Sequence, residues 1–236
     1  MEGSHLRDKI ASLAAECRAQ HLRVTLPWND GGQRLLPTSY FLEYKAKMND
    51  YRTAFDTMVN DFVAEYPALV QTAQNYLGGL FNADDYPSAD EVRSKFSFDL
   101  SFSPVPMAGD FRLDVSAEAL AELSQQYETN FNARMADAMR EPWERMRKAL
   151  STITEKLTDK DDDGKKRYHD SLLENVRDLC GLLTHLNVAK DPKLEEARCE
   201  IESMLSDTSM DLIRESAMAR ATTKSKVDAI LKQFEW

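Results

Sequence analysis

Large apolar side chains recur at spacings of three and four along residues 41–62: Phe41, Tyr44, Met48, Tyr51, Phe55, Met58 and Phe62. That spacing puts them on one side of a helix, and such a seam of rings is stable only with another helix lying along it. The pattern predicts a long helix over about 39–66, capped from Pro37-Thr38-Ser39. Pro67 is expected to open a further helix that Gly78-Gly79 ends. A second long stripe follows a cap at Ser116: Leu120, Leu123, Tyr127, Phe131, Met135, Met139, Trp143, Met146, Leu150, Ile153 and Leu157. It predicts a helix to about 157, with a kink or break near 140 because Pro142 interrupts it. The two stripes match in length, so 39–66 is expected to pack antiparallel on part of 117–157.

Shorter stripes complete the helical pattern. Leu6, Ile10, Leu13, Cys17 and His21 predict a first helix to about 22. Leu172, Leu173, Val176, Leu179, Cys180, Leu183 and Leu186 mark another; Leu194, Ala197, Ile201, Met204 and Leu205 the next. Ile213, Ala217, Val227, Ile230, Leu231 and Phe234 mark the last. The cluster Leu26-Pro27-Trp28-Asn29-Asp30-Gly31-Gly32 reads as a loop, and Asp84-Asp85-Tyr86-Pro87-Ser88 as a turn into a short helix near 88–94.

In one place the period changes to two. Phe96, Phe98, Leu100 and Phe102 alternate with Ser97, Asp99, Ser101 and Ser103; after Pro104–Gly109, Phe111, Leu113 and Val115 alternate with Arg112 and Asp114. This predicts a β-hairpin at about 95–116 whose apolar face lies on the helices, since two strands alone are marginal. Its edge is expected to be open, or paired with a neighbouring copy in a homo-oligomer. The fold class is therefore mainly α: a long-helix bundle with antiparallel coiled-coil-like packing and one inserted hairpin. Residues 6–236 are expected to form a single elongated domain, and residues 1–5 read as a cloning scar.

Composition sharpens this picture. Of 236 residues 42% are hydrophobic, enough for the core of one large domain, and only 8 Gly and 8 Pro favour long elements. The net charge of -10 argues against nucleic acid or an anionic membrane as partner, because both need a positive field. No apolar run approaches the ~20 residues of a membrane span. Cys17, Cys180 and Cys199 are far apart and odd in number, which fits free thiols in a reducing cytoplasm.

Candidate chemistry is sparse. Asp159, Asp161 and Asp163 precede Gly164, and Asp170 stands at the twelfth position, so the run approximates a calcium-binding loop. Lys166 occupies the apolar eighth position, the twelfth ligand is the shorter Asp, and the loop is single. A solvated acidic turn offset by Lys165, Lys166 and Arg167 is the better reading, so no metal or cofactor is expected. The four histidines have no ligand spacing, no serine sits in G-x-S-x-G, and neither Gly-Gly pair makes a phosphate loop. Arg145, Arg147 and Lys148 beside Trp143 are offset by Glu141 and Glu144, a salt-bridged helix face. No catalytic residue is assigned, and the chain is not expected to be an enzyme. The candidate partner-binding residues are Trp28, Pro104, Val105, Pro106 and Met107, which combine anchor types with stiff loops. The competing reading is that Trp28 plugs a gap over the bundle.

Three stretches together carry a resemblance: Leu26–Asp30 leading to Arg34–Pro37, then Asp85-Tyr86-Pro87, then Phe102–Pro106 leading to Gly109–Arg112. From about residue 20 to its end the chain resembles an uncharacterised family carried by bacteriophages, prophages and conjugative elements. Genes of that family often neighbour a CobS/MoxR-like AAA+ ATPase and a CobT-like protein with a von Willebrand A domain. The resemblance implies a location in the bacterial host cytoplasm, one of those proteins as partner, and a chain shortened at its N-terminus. Together these readings give a nonenzymatic adaptor or scaffold for an AAA+ system. One alternative is an acidic inhibitor or DNA mimic aimed at a host protein, although 30 basic residues among 40 acidic ones imitate phosphate rows poorly. The other is an enzyme whose site assembles from distant residues.

Overall fold

The chain folds as α1 (Glu2–Val24), β1 (Leu26–Pro27), β2 (Arg34–Leu35), α2 (Phe41–Leu77), α3 (Ala89–Ser94), α4 (Ala117–Thr158), α5 (Ser171–Leu186), α6 (Pro192–Ser206), α7 (Met210–Glu215) and α8 (Ala217–Gln233). This is a computed structural model, and it describes residues 2–106, 116–158 and 168–234. The protein is a mainly α helical bundle with one small antiparallel hairpin. Where a single domain is expected, the chain divides into two compact units, Met1–Arg23 with Phe41–Pro106 and Val24–Tyr40 with Met107–Trp236.

In the first unit α2 buries Tyr44, Met48, Tyr51 and Phe55 of the aromatic seam, with Val59 beside them, while Phe41, Met58 and Phe62 are half-buried. Its cover is α1. Side-chain contacts pair His21 with Tyr44, Cys17 with Met48, and Glu16 with Tyr51, while Ile10 joins Phe55 and Val59 in one cluster. As numbers fall along α1 they rise along α2, so the helices run antiparallel. The lengthwise helical partner demanded by the seam is therefore present, but it is α1; residues 117–157, the expected partner, belong to the second unit. The physical reason is local. Only residues 25–40 separate α1 from α2, so this pairing closes a short loop and costs less chain entropy than one made with 117–157.

The seam's remaining cover is an extended stretch. Phe96, Phe98 and Leu100 are half-buried and Ser97, Asp99 and Ser101 exposed, so the period-two pattern is real. Phe96 packs against Phe55 and Phe62 with ring centroids 6.4 and 5.9 Å apart, and Phe98 lies 5.9 Å from Phe55. Residues 96–106 nevertheless form no strand, and 107–115, the rest of the expected hairpin, lie outside the described residues. The hairpin instead occupies the stretch expected to be a loop, with Leu26 opposite Leu35 and Pro27 opposite Arg34. Asn29 turns the chain by accepting from Gln33 N at 3.1 Å, and Gly32 takes a left-handed φ of 82° that a side chain would strain. The Asn-Asp-Gly-Gly signal was thus a hairpin turn.

In the second unit the C-terminal half of α4 packs with α5, α6 and α8 around Met146, Leu150, Ile153, Leu173, Leu183, Leu186, Leu194 and Ile201, all almost fully buried. Two prolines fail to stop their helices. α2 runs through Pro67, expected to open a further helix, and α4 through Pro142, where a kink or break was expected. Each proline costs its helix one backbone hydrogen bond, which a long helix held on both sides absorbs. The last expected helix is in fact two: Ser216 N donates to Leu212 O at 3.0 Å, closing α7, and its Oγ accepts from Ala219 N at 3.2 Å, opening α8.

Candidate functional site

Between α1, α2 and residues 95–100 the first unit holds a groove of about 540 Å³. Tyr44, Met48, Tyr51 and Phe55 are its buried floor, while Arg7, Ala11, Arg18, Lys95, Ser97 and Asp99 are exposed and form its rim. Helical spacing on α1 presents Ile10, Leu13, Ala14, Cys17 and His21 as one wall. The alternation of 95–100 supplies the other lining, with Arg52 stacked 5.4 Å over Phe98.

Polar groups inside the groove are paired with one another. His21 Nδ1 lies 2.9 Å from Tyr44 Oη. Tyr51 Oη donates to Glu16 Oε1 at 2.8 Å, and the Cys17 thiol lies 3.8 Å from Met48 Sδ. Burial, with the carboxylate of Glu16 behind it, pushes the Tyr51 phenol up to about 12. Burial also raises the Cys17 thiol, opposed by Arg18 and assisted by Glu16. A thiol raised in this way is a poor nucleophile at neutral pH, and the group it meets at Met48 is a thioether rather than a base.

Other sequence candidates fall elsewhere. Asp159, Asp161 and Asp163 of the calcium-like run lie outside the described residues; Asp170 is ion-paired with Arg214 at 2.5 Å. Among the described residues no group of three or more His, Cys, Asp or Glu is placed to hold a metal ion. Trp28 is half-buried with its ring edge-on to Phe131, centroids 5.6 Å apart. Pro104, Val105 and Pro106 are exposed, and Met107 lies outside the described residues. Of the basic cluster beside Trp143, Arg145 is ion-paired as expected with Glu141: Arg145 and Arg34 share the Glu141 carboxylate, and both donate to the carbonyl of Thr25, at 3.3 and 2.8 Å. These bonds seat the hairpin on α4.

The groove itself was missed from sequence, although its residues were visible. The α1 stripe Ile10, Leu13, Cys17, His21 has the same three-and-four spacing as the α2 seam and stands next to it in the chain. No family model matches the chain, and neither a curated protein nor a solved structure matches it.

Proposed function

We propose that this chain is a nonenzymatic adaptor that receives a protein partner in the groove of its first unit. The observation that carries the reading is the groove's composition. A floor of Tyr44, Met48, Tyr51 and Phe55, ringed by polar and charged residues, has the anatomy of an interface: aromatic and methionine anchors at the centre and a polar rim. Met48 adds adaptability, because its unbranched thioether fills irregular gaps around a guest. The resemblance supplies the candidate partners, an AAA+ ATPase or a von Willebrand A protein, and the bacterial cytoplasm as the setting. No helix among the described residues is long and apolar enough to cross a membrane.

Ala14→Trp tests the reading. Ala14 is half-buried on the groove wall, so an indole there fills the groove without removing any core group. The variant should keep its helical circular dichroism and lose capture of the purified ATPase or von Willebrand A protein. Unchanged capture would assign the contact to another surface, such as the one around Trp28.

A further inference from the structure

The chain carries a net charge of -10, yet the groove is lined by three cations, Arg7, Arg18 and Lys95, against one carboxylate, Asp99. Two more cations stand over rings of the same lining: Lys47 at 5.1 Å from the Tyr51 centroid and Arg52 over Phe98. Three further carboxylates stand nearby, each already engaged though still charged. Glu16 accepts from Tyr51, Asp8 faces Arg7 at 3.4 Å, and Glu91 is held in the capping box of Ser88. Arg18 and Lys95 have no carboxylate within ion-pair distance among the described residues, although Lys95 adds to the Ser88 hydrogen bonds that draw the Glu91 carboxyl down, and Arg52 Nε is buried with no hydrogen-bond partner there. The named groups thus number five cations against four carboxylates around an apolar trough, on a protein whose net charge is -10. Such a local balance selects partners by charge as well as by shape.

We infer that the groove takes a short amphipathic segment of the partner protein, with apolar anchors flanked by Asp or Glu. This rests on the docking reading above and deepens it. The anchors enter between α1 and residues 95–100 and meet the half-buried Leu13, Ala14 and Phe98, while the acidic flank lies over Arg18 and Lys95. A second copy of this chain is disfavoured as the occupant, because two bodies of charge -10 repel at the distances that precede docking.

The test is selection from a displayed random-peptide library on the purified full chain, followed by binding of the selected peptides at two salt concentrations. The expected peptides combine two or more apolar anchors with Asp or Glu, and salt weakens them. Their affinity should fall at least about tenfold on Arg18→Glu/Lys95→Glu, since like charge then faces like. Both side chains are exposed, so the double variant should keep the parent's circular dichroism and thermal midpoint. Groove binders without acidic enrichment, still blocked by Ala14→Trp, would overturn this inference and leave the docking reading standing. Selected peptides indifferent to Ala14→Trp, or no peptides at all, would overturn both. Concentration-dependent dimers abolished by the double variant would make a second copy the occupant and also reject the inference.

Discussion

Tyr51 Oη donates a 2.8 Å hydrogen bond to Glu16 Oε1, tying the N-terminal third of α2 to α1. The bond lies one turn from the Cys17–Met48 contact and two from the His21–Tyr44 pair, so three polar or sulfur contacts fix one antiparallel register. An apolar seam alone would tolerate sliding by a turn. The polar pairs make such a shift costly, because they would strand donors and acceptors in the core.

This bond sets an alkaline limit on stability. The Tyr51 phenol titrates near its ordinary value in the unfolded chain and at about 12 in the folded one, because burial and Glu16 oppose the phenolate. A raised folded value means the stabilisation is complete below the unfolded value and is lost as pH rises towards the folded one. The thermal midpoint should therefore fall from about pH 10 upward, and Tyr51→Phe should flatten that part of the profile. Ultraviolet titration showing every tyrosine ionising together near the ordinary value would contradict this.

Phe55 is the keystone of the seam, buried to 8% exposure and touched by both Phe96 and Phe98. Phe55→Ala should cost about 3–5 kcal/mol, from lost transfer energy and the cavity left behind. Urea unfolding monitored on the first unit's helices measures it. A loss below about 1 kcal/mol would mean that the ring faces water in solution.

Glu141 serves two arginines at once, with Arg34 and its own carboxylate both mostly withdrawn from solvent. Glu141→Ala should destabilise the second unit by about 1–3 kcal/mol, the range for removing a charged hydrogen-bond partner from a partly buried site. Glu141→Gln should recover part of the loss by keeping an acceptor. Equal melting of both variants and the parent would show that the hairpin is seated by packing alone.

Asp191 works at two ends. One carboxylate oxygen caps α6 through Lys193 N and Leu194 N, and the other accepts from the Trp143 indole at 3.2 Å. Asp191→Ala should cost about 1–2 kcal/mol for the cap, and tryptophan fluorescence should shift as the indole loses its acceptor. An unshifted spectrum with full stability would argue that neither bond forms in solution.

The helices were legible because their stripes are long and regular; the seam from Tyr44 to Phe55 even announced that a helix must cover it. Its partner was not legible, since matching stripe lengths favoured 117–157 while chain proximity favoured the shorter α1. Alternation at 96–102 was read as a hairpin strand lying on helices; Phe96 and Phe98 do lie on α2, but alternation alone does not show whether a strand finds a ladder partner. At 26–35 the reverse happened: two-residue strands are too short to show a period, so only the turn residues betrayed the hairpin. The groove escaped because it exists only when α1, α2 and 95–100 meet, and no single segment carries a motif for it.

The most direct measurement is site-specific photo-crosslinking in the native host. A photoreactive residue replaces Ala14 or Ser97 at the groove, or Gln74 on an exposed part of α2 as the control. The expected result is a discrete adduct from both groove positions, identified by mass spectrometry as the same AAA+ ATPase or von Willebrand A protein, and none from Gln74. Adducts equally strong from the control position, or no adduct at the groove while the protein is folded and expressed, would contradict the account of a groove-docked adaptor.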